Sequence, residues 1–340
     1  MLNGYGPERL GSLLRERRDY YDIILLSRPH NMRVLRGLLA EEPDLLGNTR
    51  VLYDAEAIYC LREAQQARLT GRPLTKDELH RRLQAEFALV DGCWGVIAVS
   101  RLEAEHFREY GCERVYLLGH AVELEPGPDS IAERSGLLFV GVSHVPDSPN
   151  ADSIRWLVGN ILPRIQRQAR EPITLTLAGR CCEGVLPPGT RSGREGLRVL
   201  GAQDDLRPVY EKARVFVAPT RFAAGIPLKL CEAAAHGVPI VATSLLARQL
   251  GWHPETHLLT ADTAEEFAAQ CVRLYQDHDL WRHLRTNALR AVQADFDSTS
   301  FSDTVQTMLR DALEMTDIVP SGPPERQAPP HIWARHADAA

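Results

Sequence analysis

Arg221, Lys229 and Glu232 are spaced as a device for holding a diphosphate beside a hydroxyl-bearing ring. They lie within VFVAPTRFAAGIPLKLCEAAAHGVPIVAT, residues 215–243. Arg221 falls in a loop and Lys229 in the first turn of the helix that follows, so two cations can converge on one anion. The start of a helix adds unbonded N–H groups and the positive end of the helix dipole, which suits phosphate. Glu232 is three residues beyond Lys229, on the same helix face, where a carboxylate accepts hydrogen bonds from sugar hydroxyls. The competing reading is a solvated Lys229–Glu232 ion pair on an ordinary helix.

The elements around these residues decide between the two. VFVAP is a short apolar run ending at Pro219, and Gly225 with Pro227 then opens a helix. Gly237 closes that helix, and PIVAT is the next buried strand. The loop therefore leaves the carboxyl end of a strand, where open parallel sheets bind ligands.

The same alternation runs through the chain. Strands are predicted at 21–27, 50–56, 95–100 and 114–121, with helices at 31–41, 64–89 and 101–110. The turn-rich EPGPDS, 125–130, reads as a linker. A second series follows, with strands LLFVGV, ITLTLAG, LRVLG, VFVAP, PIVAT and HLLTA and helices at 152–168, 206–212, 228–236, 264–277 and 280–294. Strands alternating with helices imply an α/β protein with parallel sheets. The expected domains are 1–125, a linker at 126–135, 136–296, an amphipathic C-terminal helix at 297–316 and a disordered tail at 317–340. Trp156, Trp252 and Trp281 are core candidates.

Composition narrows the function classes. An apolar fraction of 44% and a charged fraction of 25% fit a soluble globular protein. A net charge of −6 argues against a nucleic-acid binder. No signal peptide or membrane-length apolar run is visible, and the expected location is cytoplasmic. The 7 cysteines and 12 histidines show no metal-ligand spacing, so no metal site and no cofactor are expected.

The 215–243 segment resembles the donor signature of the retaining GT-B glycosyltransferases called group 1, or family 4. The resemblance implies two Rossmann-like domains facing across a cleft, with the first one incomplete, since no opening strand and Gly-rich loop precede Tyr21. It makes Glu232 the reader of the nucleotide ribose and Arg221 and Lys229 the holders of the diphosphate, with Gly225 and Ile226 offering backbone N–H groups. Many members carry a second glutamate eight residues before the first, where this chain has Ala224. The run GLLFVGVSHVPDSPNADSIRW resembles the opening of the family's second domain, making Gly141, Ser143 and His144 candidate donor contacts. Asn150 and Asp152 read as helix caps. Arg180, after ITLTLAG, either meets phosphate or is a solvated surface residue. The loop at 201–205 resembles the one that meets the base through backbone atoms. In YDAEAIYCLRE, Asp54 and Glu56 are the candidate catalytic carboxylates, orienting the acceptor hydroxyl or taking its proton, or else a cap and an exposed charge. His120 stands at the expected interdomain turn.

The implied activity is transfer of a sugar, hexosyl or deoxyhexosyl, from a nucleotide-sugar donor to a saccharide or lipid-linked saccharide hydroxyl. Retention, metal independence, a bacterial cell-surface polysaccharide product and peripheral membrane or multi-enzyme association come with the analogy. Two other readings stay open. One is a non-catalytic nucleotide-sugar-binding module, favoured by Ala224 and the short first half. The other is a nucleotide-sugar epimerase, which would need more acid/base groups around the sugar.

Overall fold

The computed structural model describes residues 7–143, 145–180, 183–190, 193 and 196–314. His144 and the tail at 317–340 lie outside the described residues. The chain forms two compact units. The first takes in the chain up to Gly119 together with the segment from Thr299 onward, and the second spans His120–Ser298.

In the first unit, helix α1 (Leu10–Glu16) precedes strand β1 (Ile23–Ser27). Then come α2 (Pro29–Glu41), β2 (Arg50–Asp54), α3 (Tyr59–Leu69), α4 (Lys76–Phe87), β3 (Gly95–Ala98), α5 (Arg101–Glu109) and β4 (Val115–Leu117). The four strands form a parallel sheet in the order β1-β2-β3-β4. Every residue of β3 is buried, as expected of a central strand covered on both faces. Val51, Tyr53, Val96 and Ala98 face Met32, Leu35, Phe87 and Phe107, while Leu52 and Ile97 point the other way. The helix expected over 64–89 is two helices, because Gly71, at φ +73°, and Pro73 break it. The start of α3 carries no local cap. Instead Glu86 accepts from the Tyr59 and Cys60 amides at 2.6 and 2.8 Å, and Glu103 from the Ile58 amide at 3.1 Å. Burial raises the Glu86 carboxyl above its usual value.

The second unit continues with β5 (Ser135–Val140), α6 (Pro149–Trp156), α7 (Leu162–Gln168), β6 (Leu175–Ala178), β7 (Leu197–Gly201), α8 (Arg207–Lys212) and β8 (Ala213–Ala218). After these follow α9 (Leu228–Ala235), β9 (Ile240–Ala242), α10 (Ser244–Leu250), β10 (Leu259–Thr260), α11 (Ala264–Gln276) and α12 (His278–Asp295). The six strands are parallel, in the order β10-β9-β8-β5-β6-β7. Alternate residues serve two cores: Leu137, Phe139, Leu175, Leu177, Val215 and Val217 on one face, Leu138, Val140, Phe216 and Ala218 on the other. Trp156, Trp252 and Trp281 are all buried.

A buried arginine ties this unit together. Arg134 is 0% exposed and has no carboxylate partner among the described residues. Its guanidinium donates to the carbonyls of Pro128 (2.8 Å), Tyr210 (3.0 Å), Ala213 (3.1 Å) and His236 (3.0 Å). Those carbonyls belong to the segment before β5, the end of α8, the start of β8 and the end of α9. Burial and the nearby Arg285 push the Arg134 pKa down to about 10, still far above neutral, so the group remains a cation.

The last helix, α13 (Ser298–Glu314), returns to the first unit. Met308 and Ala312 pack with Leu52, Trp94 and Ile97, covering the second face of the first sheet. Tyr116 donates to Asp311 at 2.9 Å, and Arg50 to the Ala312 carbonyl. No helix among the described residues is long and apolar enough to cross a membrane.

Candidate functional site

The strand order of the second unit reverses between β5 and β8, because β5 leads outward to β6 and β7 while β8 leads outward the other way. The loops leaving those two neighbours must part, and a crevice opens outside their carboxyl ends. Arg221, Gly225, Ile226, Lys229 and Glu232 all come from the loop and helix after β8, and Gly141 from the loop after β5. The structure therefore brings these six residues to one switch point, while Arg180 follows β6 and His144 lies outside the described residues.

Backbone contacts hold these loops close. Gly179 has φ +124°, and a Cβ there would lie 2.0 Å from the Gly141 carbonyl oxygen. The Gly141 amide donates to Ala178 at 3.0 Å, and the Ser143 amide to the Arg180 carbonyl at 3.1 Å. The Arg180 side chain is exposed, so it is the backbone of this residue that the loop uses. Gly225, at φ +79°, turns the β8 loop into α9, a conformation that side chains disfavour. Among the described residues no group accepts from the Gly225 or Ile226 amide.

Asn150 and Asp152 are not the caps expected of them. Ser148 caps α6, its hydroxyl accepting from the Ala151 amide at 3.2 Å. Asp152 accepts both arms of Arg221, Nε at 2.9 Å and Nη2 at 2.5 Å, and the guanidinium lies 5.1 Å from the Trp156 ring centre. Asn150 accepts from Lys229 Nζ and donates to the Val142 carbonyl at 2.8 Å. Lys229 also stands 5.0 Å from the Phe139 ring centre. The two cations are thus aimed by α6. Cap and pairing roles ask for the same residue types, and only the fold decides between them. With its fork taken up by Asp152, Arg221 anchors the β8 loop onto α6. The buried Ser153 and Thr220 hydroxyls, 3.1 Å apart, join the same two elements.

Glu232 lies one turn into α9 and is half-buried. Burial raises its carboxyl above the usual range, and the Tyr210 hydroxyl, His236, Lys229 and His120 draw it back down. Tyr210 donates to Glu232 Oε2 at 3.3 Å. The Tyr210 ring stacks on His236, with centroids 4.6 Å apart. Tyr210 was not singled out in the sequence: it is 22 residues from Glu232, with no periodic signal linking them.

The first unit carries its own cluster at the carboxyl ends of β1 and β2. Ser27 donates to Asp54 at 2.9 Å, and the Glu56 amide donates to Asp54 at 3.1 Å. Arg28 Nε bridges both Glu56 oxygens at 2.9 and 2.8 Å. Arg28 (φ +80°) and Glu56 (φ +54°) both hold backbone conformations that only glycine adopts without strain. Paired strain of this kind, at a few kcal/mol or about 1–3 for each residue, persists where the surroundings over-determine it. Sequence reading found Asp54 and Glu56 but not Arg28, since backbone strain has no signature in residue type.

Comparison with known proteins converges on the same elements. Residues 134–277 match the sequence model "Glycosyl transferases group 1". An uncharacterised 44.6 kDa protein in the cps region of Klebsiella pneumoniae is 22% identical over 168 residues. That match covers 48% of this chain and 42% of the Klebsiella protein, less than half its length. Among solved structures, sucrose-phosphate synthase from Thermosynechococcus elongatus superposes with a TM-score of 0.67 at 19% identity, over 90% of this chain and 79% of that one. HepE of Anabaena, crystallised with UDP and glucose, gives 0.63 at 14% identity over 90% and 81%. The pneumococcal O-GlcNAc transferase GtfA, crystallised with UDP and GlcNAc, gives 0.64 at 13% over 90% and 60%. Two parallel-sheet units and the likeness to these structures give this chain the GT-B fold, and its second unit is similar to the group 1 glycosyl transferases over residues 134–277.

Proposed function

We propose that the protein transfers a sugar from a nucleoside-diphosphate sugar to an acceptor hydroxyl. The observation that carries this reading is the convergence of Lys229, Arg221, the start of α9 and Glu232 at the switch point of the second unit. Lys229 and the first turn of α9 hold the diphosphate and stabilise charge on it as it leaves, a task for fixed electrostatics. Glu232 reads the ribose, and Gly141, Arg180, Gly225 and Ile226 line the donor through backbone atoms. Asp54 and Glu56, with Arg28, hold the acceptor. The sugar, of hexosyl or deoxyhexosyl type, is passed with retention and without a metal ion. The cps-region relative supports cell-surface polysaccharide as the product, on a saccharide or lipid-linked saccharide acceptor.

The test is to incubate the protein with UDP-, GDP-, ADP- and dTDP-sugars and saccharide acceptors, with and without EDTA, and to read products by NMR. A new glycoside of unchanged anomeric configuration, formed equally in EDTA, is expected. Donor binding without turnover would instead support a binding module, and an epimerised free donor would support an epimerase.

A further inference from the structure

The geometry points to Tyr210 as a positioning residue that fixes the plane of the Glu232 carboxylate, so that one oxygen is held by the protein and the other is presented to the nucleotide ribose. This inference rests on the donor site proposed above.

Three observations carry it. Tyr210 is 1% exposed, and its hydroxyl has one partner among the described residues, Glu232 Oε2 at 3.3 Å. A buried phenol that found no partner would be costly, so this contact is where its polar atom is satisfied. Second, the ring cannot drift. One face stacks on His236, the ring packs at 6.1 Å on Phe216, and the Tyr210 carbonyl is bound by buried Arg134. Third, Glu232 Oε1 has no hydrogen-bond partner among the described residues. A carboxylate on a helix surface would otherwise turn about its last torsion, which is broad for glutamate. With Oε2 held by a ring that packs on His236 and Phe216 and whose backbone Arg134 holds, Oε1 is pre-aimed, and ordering it on ligand binding costs less.

The hydroxyl acts on charge as well as on direction. It donates to the ionised form of Glu232 and so opposes the upward push of burial. The other groups facing this carboxylate are Lys229 and His236 on its own helix and His120 from the segment before β5.

Tyr210→Phe keeps the ring, the stack and the volume and removes only the hydroxyl. The experiment is calorimetric titration of the full chain and this variant with UDP, GDP, ADP and dTDP, and with 2′,3′-dideoxy-UDP, from pH 5 to 8, alongside thermal melts. Affinity for the ribonucleotides should fall about three- to tenfold, the worth of one ordinary net hydrogen bond, because the carboxylate is loosened rather than removed. Preference for UDP over dideoxy-UDP should shrink by the same factor, and loss of binding on acidification should begin at higher pH. In Glu232→Gln the Tyr210→Phe effect should largely vanish, because the two act as one unit. An unchanged UDP to dideoxy-UDP ratio and pH profile, or additive effects in the double variant, would show Tyr210 to be merely structural. If the wild-type chain binds none of the nucleotides, the donor-site reading itself fails and this inference falls with it. That outcome is distinguished by the silence of the wild type.

Discussion

Arg134→Met is the sharpest test of how the second unit is held together. Methionine replaces the aliphatic stem but none of the donors, so the carbonyls of Pro128, Tyr210, Ala213 and His236 all lose the guanidinium at once, while Tyr210 keeps the Ala213 amide and His236 the Gly127 amide. A buried group left unsatisfied costs about 1–3 kcal/mol. The two at helix ends, Tyr210 and His236, retain their backbone amides and lose less. Removing a buried cation also relieves repulsion with Arg285, which donates to the Gly127 carbonyl at 2.8 Å. The expected net destabilisation is therefore about 2–5 kcal/mol, from the two carbonyls without a second partner named above and the weakening of the other two. At about 2–4 °C per kcal/mol for a unit of this size, the melting transition of the second unit should drop by roughly 10 °C. Scanning calorimetry resolves this, and the Trp281 ring, 5.9 Å from the guanidinium, provides a fluorescence probe of the same event. Arg134→Lys should recover little, since one ammonium cannot span carbonyls that a planar fork reaches from three nitrogens. A shift below about 2 °C in Arg134→Met would refute the reasoning, because the four contacts would then be worth no more than surface ones.

Glu232→Ala should weaken nucleoside-diphosphate binding by about 1.5–3 kcal/mol in titration calorimetry while the melting temperature holds, the loss of one charged hydrogen bond. Wild-type binding should weaken on acidification from a higher pH than an ordinary glutamate would give, because burial raises the Glu232 pKa and protonation removes the acceptor charge. Gly179→Ala forces a Cβ to within 2.0 Å of the Gly141 oxygen, so thermal stability and nucleotide binding should fall together. A variant that retains both would mean the two loops do not touch. The segment 120–298 alone should fold, by circular dichroism, and bind a nucleoside diphosphate without transferring sugar. Binding that returns only when the Asp54–Glu56 region is restored would assign part of the donor site to the first unit.

Local pattern made much of this legible. Apolar runs of four to six residues bounded by Gly and Pro marked the strands of both sheets, because a buried parallel strand has to be apolar on both faces. The 215–243 stretch was legible as strand, loop and helix start because glycine and proline mark where the loop turns into α9. What escaped was pairing at a distance. Asn150 and Asp152 looked like caps because Asn and Asp serve both roles. Arg134 stood at the edge of an expected linker, and nothing in a lone arginine says that four carbonyls surround it. The break between α3 and α4 was visible in Gly71 and Pro73 but was outweighed by the charged helical period on either side. Amphipathicity showed that α13 has an apolar face, but not that its partner is Trp94 and Leu52, more than 200 residues earlier in a chain of 340.

That last contact imposes an order on biosynthesis. The first sheet leaves the ribosome early, yet the helix that covers its Leu52, Trp94 and Ile97 face is made only after the whole second unit. At roughly 5–20 residues per second, the intervening chain takes on the order of ten seconds or more to emerge. Throughout that interval the nascent first sheet carries a bare apolar face, while the second unit, continuous in sequence, can complete itself as it appears. Of the two units, the one begun earlier is therefore the one closed later. In a cell, the exposure of that face to chaperones and to aggregation is set by the speed of translation as much as by the stability of the finished fold.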